Sequence, residues 1–500
     1  MTTRGRVVML VHKAVEGDSR VQKQARSAAE RGWDVVLLGR SPDGHEHVSH
    51  LGEAEVRLVP VPVPLKQRPY ETRAAWWRAP LAYGTGRVGR YRVAVARAGQ
   101  VEQTVRRAAA SAAGEGGRDV SLVAARVLTA GYAKATRVRL SRTVSAQRRR
   151  RLLDRPLDRA TTALRVRLGG VRAWRTLHPA IHDLDLALGP VVDELRPDVV
   201  HANDFTTLGI AVTASWRARA EGRRVAVVWD AHEFLPGITA WDKNPRWMPA
   251  QQAYEAEHAP YADAVVTVSP RLAELLQQQH DLPVLPRVVL NAPEAEQRAR
   301  AEGVPRDLRT DCGIGDDDPL LVYSGGAAPQ RGLGSLVDAL ADLPGVHLAL
   351  VLPASDRPYP RSLVERATAL GVDDRLHLLP YVEVDEVPRY LSGADVGVIP
   401  ILHVLNHEIA LITKFFEYAH ARIPVVVSDV ETMAAAVRDV GHGEVFVADD
   451  AAGLAAAVRR VLDDPERYRA AYDRPGLLDA WSWERQVDVL DSVYAEVTAR

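Results

Sequence analysis

Residues 320–332 read Leu-Leu-Val-Tyr-Ser-Gly-Gly-Ala-Ala-Pro-Gln-Arg-Gly, and this stretch decides the fold. Its apolar start, 320–323, lacks the alternation of a half-buried strand and suits one covered on both faces, as in a parallel sheet. Ser324, Gly325 and Gly326 follow at once, then Arg331, Gly332 and a helical pattern over 333–341. In a doubly wound domain a glycine-rich first loop lets backbone N–H groups and the helix N-terminus approach a phosphate. Arg331 adds a two-pronged contact to a diphosphate. Taken alone the segment also reads as a plain turn with a surface arginine, and the phosphate reading rests on its surroundings.

Outward from this unit the same alternation continues. Strands are predicted at 346–351, 376–379, 396–399 and 424–428, and helices at 362–370, 412–420 and 451–462. An earlier set has strands at 6–11, 34–38, 198–201, 225–229 and 264–268, with helices at 20–31, 206–220 and 270–279. Residues 291–311, rich in Pro, Glu and Arg, read as a linker. The last helix, 483–497, carries Val487, Leu490, Tyr494 and Val497 at helical spacing. The expected division is one Rossmann-like domain over 1–290, a second over 291–480, and a C-terminal helix over 481–500 that packs back on the first.

The chain has 500 residues, 47% of them apolar, which is too much for one core because single cores stop growing near ~250–300 residues. A single cysteine, Cys312, rules out an internal disulfide and suits a reducing, cytoplasmic setting. The apolar run 7–11 is too short for a signal peptide, and no run approaches the ~20 residues of a membrane span. The expectation is a soluble or membrane-peripheral protein. Net charge is zero, yet residues 66–175 hold 26 Lys+Arg against 6 Asp+Glu, leaving 38 against 58 elsewhere. This basic segment, about 66–178, breaks the strand pattern and reads as a helical insertion. It carries Trp76, Trp77 and Trp174, and the arginine run 148–151. Two readings stand for it: an anionic membrane surface, or contact with the acidic remainder of the chain.

Residues 413–418, Thr-Lys-Phe-Phe-Glu-Tyr, supply a second constellation. Glu417, on a helix that starts at the carboxyl ends of the strands, suits the two hydroxyls of a ribose. It also reads as a partner of the helix dipole. Lys414, one of six lysines beside 58 arginines, reads either as a phosphate ligand or as a surface charge. The triplet Asp183-Leu184-Asp185 has a metal-binding spelling, but residues two apart on a helix do not share a face, so no metal is expected.

The series Pro197-Asp198-Val199-Val200-His201, Asp230-Ala231-His232-Glu233, Tyr323-Ser324-Gly325-Gly326 with Arg331-Gly332, the run 394–400, and Lys414-Phe415-Phe416-Glu417-Tyr418 resembles family 4 of the retaining glycosyltransferases. The resemblance covers about 1–60 and 180–500. It implies a GT-B fold, in which two doubly wound domains face a cleft, with a nucleotide-diphosphate sugar as co-substrate and no cofactor or metal. It implies catalytic roles for His232, Arg331 and Lys414, and donor contacts from Gly325, Gly326 and Glu417. Relatives carry a second glutamate eight residues before the one matching Glu417, where this chain has Ile409. Glu408, Asn406 and His407 are the candidates to replace it in the sugar pocket. Asp18 and Arg20 stand in the acceptor-side loop. There Asp18 is also a good N-cap, and Arg20 either meets an anionic acceptor or pairs with Asp18. His201 reads as a cleft residue or a core histidine. The implied reaction is retaining transfer to a hydroxyl of a cell-envelope glycan or lipid-linked precursor. The alternatives are a nucleotide-sugar 2-epimerase of the same fold, or a non-catalytic polyanion-binding protein; nucleic acid is not an expected partner.

Overall fold

The computed structural model describes residues 4–63, 79, 81–112, 120–152, 156–238, 240, 244–294, 306–353, 357–383 and 386–499. Eight strands make the first sheet: β1 (Arg6–Leu10), β2 (Asp34–Arg40), β3 (His47–Leu51), β4 (Ala54–Val59), β5 (Val199–Asn203), β6 (Ala226–Asp230), β7 (Ala264–Thr267) and β8 (Arg287–Val288). Their order is β3-β4-β2-β1-β5-β6-β7-β8, parallel throughout except for the β3–β4 pair. Six strands make the second: β9 (Leu320–Ser324), β10 (His347–Leu352), β11 (Leu376–Pro380), β12 (Val396–Ile399), β13 (Val425–Ser428) and β14 (Gly443–Phe446). Here the order is β11-β10-β9-β12-β13-β14 and every pair is parallel.

Both sheets are doubly wound, with the strand order reversing beside β1 and beside β9. Ligands in such sheets bind outside the carboxyl ends of the strands at this reversal. The central strands β5, β6, β9, β12 and β13 are buried along their whole length, which explains why they spell unbroken apolar runs. The antiparallel hairpin β3–β4 was not anticipated. Its outer strand, His-Val-Ser-His-Leu, is exposed at four of five positions and carries no apolar run to announce it.

After the second sheet the chain returns to the first. The helix Trp483–Ala499 buries Trp483, Val487, Leu490, Val493, Tyr494 and Val497 in one core with Val7, Met9, Val35 and Val228. Trp33 meets Tyr494 edge to face at 5.7 Å. At its start the Trp483 amide donates to the Pro293 carbonyl (2.8 Å) and its indole to Ser27 Oγ (3.0 Å). The two strands of chain that pass between the sheets are thereby tied to each other and to the first helix, Ser19–Glu30.

Residues Pro62–Leu186 with Ala240–Tyr254 form a separate compact unit. Its described part is helical: Gly86–Ala112, Val120–Leu152 and Pro156–Gly169 are the long elements. Trp174 is not an interfacial residue. It is buried with Leu177, Ile181 and Ala250, its ring 5.0 Å from that of Tyr254. Trp76 and Trp77 lie outside the described residues. Part of the expected linker is likewise outside them, and its end is a short helix, Leu308–Cys312, capped by Asp307. Asp183 and Asp185 lie in the first turn of the helix His182–Leu195.

Candidate nucleotide-sugar site

The loop after β9 is shaped by two glycines. Gly325 sits at φ 116°, and a Cβ there would come within 3.3 Å of the Lys414 ammonium. Gly332 sits at φ 68°, and a Cβ there would lie 1.7 Å from the Pro400 carbonyl oxygen, so no other residue fits. Backbone thus meets backbone at the carboxyl ends of β9 and β12, and the Leu402 amide donates to the Gln330 carbonyl (3.0 Å). Gly326 has open space above it and accepts a hydrogen bond from the Tyr323 hydroxyl (2.8 Å). Arg331 ends the short 3-10 turn Pro329–Arg331, and its guanidinium has no hydrogen bond or ion pair among the described residues.

Lys414 and Glu417 are one turn apart on the helix Thr413–His420, on the same face, and both are buried. The opposite side of that helix is held by aromatic packing, with Phe415 5.4 Å and Phe416 5.9 Å from the Trp481 ring. The Tyr418 hydroxyl accepts from the Ser324 amide (3.1 Å) and donates to the Val322 carbonyl (3.2 Å), which fixes the helix to β9 just ahead of the glycines. Lys414 Nζ lies 3.4 Å from the centre of the Tyr323 ring, a cation–π contact that replaces part of its lost hydration. Burial, followed by the nearby Arg331 charge, lowers its proton affinity well below the ordinary lysine range. Burial pushes the Glu417 carboxyl up to about 7, and Lys414 and then Lys23 pull it back only in part. Neither side chain has a hydrogen bond or ion pair among the described residues. Two buried ionisable groups without a hydrogen bond or ion pair among the described residues, next to an arginine likewise unpaired there and a glycine loop, form the candidate site.

Lys23 was missed in the sequence. It is buried, donates to the Ala292 carbonyl (2.5 Å) and lies 4.6 Å from the Trp483 ring centre. Its signal is the polar stripe Arg20, Lys23, Gln24, Ser27, which at i, i+3, i+4, i+7 occupies one helix face and is buried throughout. Arg20 corrects an expectation as well. It meets Asp230, not Asp18, through two parallel bonds of 2.8 and 3.0 Å, and gives its third to the Val289 carbonyl (2.9 Å). Burial opposes the Asp230 charge, but the Arg20 charge and hydrogen bonds outweigh it and hold this carboxyl well below the usual range. Arg20 is only 5% exposed and its donors are engaged, so it is a structural cation. Asp18 caps the helix Ser19–Glu30 through the Val21 amide (3.3 Å) and pairs with Lys13 (3.2 Å).

His232 follows β6 by two residues, and its Nδ1 is buried without a hydrogen-bond partner among the described residues. Asn203, at the end of β5 and 1% exposed, likewise has neither its amide nitrogen nor its oxygen engaged. His201 belongs to the core: it is fully buried, its Nδ1 shares a hydrogen bond with the Tyr494 hydroxyl, and burial lowers its pKa to about 4. In the loop after β12, Asn406 Oδ1 is buried with no hydrogen-bond partner among the described residues and approaches Gly237 so closely that a Cβ there would be 2.6 Å away. His407 Nδ1 bonds to the Leu402 carbonyl (2.7 Å). Both carboxylate oxygens of Glu408 are engaged within the chain. One oxygen bonds to His403 (2.5 Å) and the other accepts the Glu431 amide (2.8 Å) at the start of the helix Glu431–Val440. Ile409, at the position of the missing glutamate, is buried, and its carbonyl takes a hydrogen bond from Ser269.

Two outcomes follow from these environments. Arg20→Ala leaves Asp230 buried and unpaired and is expected to cost about 3–5 kcal/mol in equilibrium unfolding. Glu417→Gln acts in the opposite sense. A folded-state pKa raised from 4.5 to about 7 means that the native state holds the proton more tightly than the unfolded one. The penalty is therefore absent below about pH 4.5 and complete above about pH 7. The glutamine variant should be more stable at pH 8, by at most on the order of 3 kcal/mol, and indistinguishable from wild type at pH 4.5. Denaturant melts at the two pH values check this.

Comparison with known proteins agrees with the fold. The model of Glycosyltransferase Family 4 matches residues 128–293, and that of Glycosyl transferases group 1 matches residues 306–474. A D-inositol 3-phosphate glycosyltransferase of Geodermatophilus obscurus is 28% identical over 299 residues, covering 53% of this chain and 65% of that protein. An alpha-D-kanosaminyltransferase of Streptomyces kanamyceticus is 27% identical over 242 residues, 47% of this chain and 61% of that one. The chain thus spans somewhat less than two thirds of the length of these two relatives. Among solved structures, a sucrose-phosphate synthase from Thermosynechococcus elongatus superposes with a TM-score of 0.62 at 16% identity, covering 99% of this chain and all of that one. The Anabaena protein HepE, in complex with UDP and glucose, gives 0.57 at 13% identity, covering 98% and 100%. With two parallel-sheet α/β domains of this topology and a family model on each, the chain belongs to the GT-B glycosyltransferases of the family 4 and group 1 type.

Proposed function

We propose that the protein is a retaining, metal-independent glycosyltransferase that moves a sugar from a nucleotide-diphosphate sugar to a hydroxyl acceptor. The observation that carries this is the buried Lys414 and Glu417 beside the glycine loop and Arg331. In this reading Arg331 and Lys414 bind the diphosphate, the loop at Gly325 and Gly326 approaches it through backbone, and Glu417 accepts hydrogen bonds from the ribose. Lys23 tunes Glu417 from the other domain. Asn406, His407 and backbone groups contact the donor sugar in place of the absent glutamate. His232 and the unpaired Asn203 face the reacting end.

The chemistry follows from charge. The bond from the anomeric carbon to the diphosphate oxygen breaks through an oxocarbenium-like state. The acceptor oxygen attacks the same face and its proton passes to the departing diphosphate. Arg331 and Lys414 stabilise the charge that develops on that leaving group, an effect worth several kcal/mol in a dry cleft. One relative is named for D-inositol 3-phosphate and another for the kanosaminyl group that it transfers. For this chain a cell-envelope glycan or a lipid-linked precursor at the cytoplasmic membrane face accounts for its basic segment as well.

The test combines binding and product. Calorimetric titration with UDP-, GDP-, ADP- and dTDP-sugars should pick out one nucleotide, and Glu417→Ala should weaken it by ~10–100-fold. With the donor so identified, Arg331→Ala and Lys414→Ala should each lower kcat by ~10²–10³-fold, and NMR of the product should show retained anomeric configuration. Binding of none of these nucleotides, or an inverted product, overturns the reading.

A further inference from the structure

The helix Gly86–Ala112 buries only one of its faces. Against the antiparallel helix Val120–Leu152 it packs closely: a Cβ at Gly89 would meet Leu140 at 2.8 Å, and Ala96, Ala133, Thr136 and Thr143 are buried along the seam. At 100° per residue, the side turned away from that seam collects Val88, Tyr91, Val95, Val101 and Val105. Their exposures are 46%, 67%, 47%, 56% and 62%. From Val88 to Val101 this side is an apolar row about 20 Å long, and beyond it the Glu102–Arg106 pair shares the side with Val105; an exposed row of this kind is rare on a protein that meets only water. Arg90, Arg92 and Arg97 flank this row. The helix carries Arg87, Arg90, Arg92, Arg97, Arg106 and Arg107 against one acid, Glu102, which pairs with Arg106 at 2.7 Å.

We propose that this outward face of the helix Gly86–Ala112 is a membrane-docking surface that lays the helix in the plane of an anionic bilayer. The valines and Tyr91 enter the boundary between headgroups and acyl chains, while the arginines reach the lipid phosphates. The charge pattern separates this occupant from the others. A second copy of the same face would set arginine rim against arginine rim, because a two-fold interface apposes identical patches. A nucleic acid would take up the arginines and leave the apolar row in water. An anionic lipid surface satisfies both. Val123, Val127 and Val138 of the partner helix are similarly exposed but lie on the far side of the hairpin, so they serve as an internal control.

The face contains none of the residues assigned to the donor, and its test needs no nucleotide sugar. Failure of docking leaves the transfer reading standing, and the reverse holds too. The full chain is floated with vesicles of phosphatidylglycerol and phosphatidylcholine in about equal parts, and with phosphatidylcholine alone, near 0.15 M salt. Wild type is expected to bind the anionic vesicles only. The triple variant Tyr91→Gln, Val95→Gln, Val105→Gln should lose at least about tenfold in partition coefficient at unchanged thermal midpoint, because it keeps every arginine and alters only the apolar row. The triple variant Val123→Gln, Val127→Gln, Val138→Gln should bind like wild type. Absence of wild-type binding, equal loss in both variants, or a solution dimer that the first variant converts to monomer would overturn the proposal.

Discussion

The two-pronged pair between Arg20 and Asp230 is the interaction on which the arrangement of this chain depends. Both groups are almost fully desolvated, so loss of either leaves the other as a buried, unpaired charge. Gln24 donates to the same carboxylate (2.7 Å), and Arg20 also holds the Val289 carbonyl, at the point where the chain leaves the first sheet. One turn on, Lys23 holds the Ala292 carbonyl and Ser27 accepts from the Trp483 indole. A single helix face thereby joins the end of β6, the outgoing crossing and the returning helix. A polar network of this kind tolerates little displacement, because any partner lost leaves a buried charge behind.

The site in the second sheet works by the opposite device. There the charges are buried without a hydrogen bond or ion pair among the described residues, and the cost falls on the folded chain. The structure that sustains it is stiff: aromatic rings clamp the back of the helix Thr413–His420, Tyr418 ties it to β9, and Gly332 lets the two strand-end loops touch. Gly397 is part of the same support, since a Cβ there would strike the Tyr418 ring at 2.5 Å. Electrostatic groups held in place before a ligand arrives need no reorganisation when charge develops.

The helical unit shows a third use of the same side-chain chemistry. On the helix Gly86–Ala112 the arginines are mostly exposed, and its seam is closed by small residues, Ala96, Ala133, Thr136 and Thr143. The near-absence of acidic residues there is not a feature of the fold, because a solvated helical hairpin needs no such bias.

How much of this was legible in the sequence depends on the range of the forces concerned. Unbroken apolar runs such as 7–11, 320–323 and 425–427 determined two doubly wound sheets, because a strand covered on both faces has to be apolar at every position. Gly325, Gly332, Lys414 and Glu417 were legible as a constellation because their conformational and chemical demands are local. The β3 strand was not, since an exposed edge strand is held by backbone bonds to β4 and carries no apolar signature. Nor were the partners of Arg20 and Glu408, or the burial of Lys23 and Trp174. A charged or amphipathic side chain announces that it needs a partner without saying which, and contacts across 210 residues, as between Arg20 and Asp230, exist only once the sheets have assembled. The sequence by itself determined the sheets, the phosphate-type loop and the basic segment. Tertiary structure alone decided which charges are paired in the core and which stay free for a ligand, because pairing is settled by desolvation, and desolvation is a property of the packed chain.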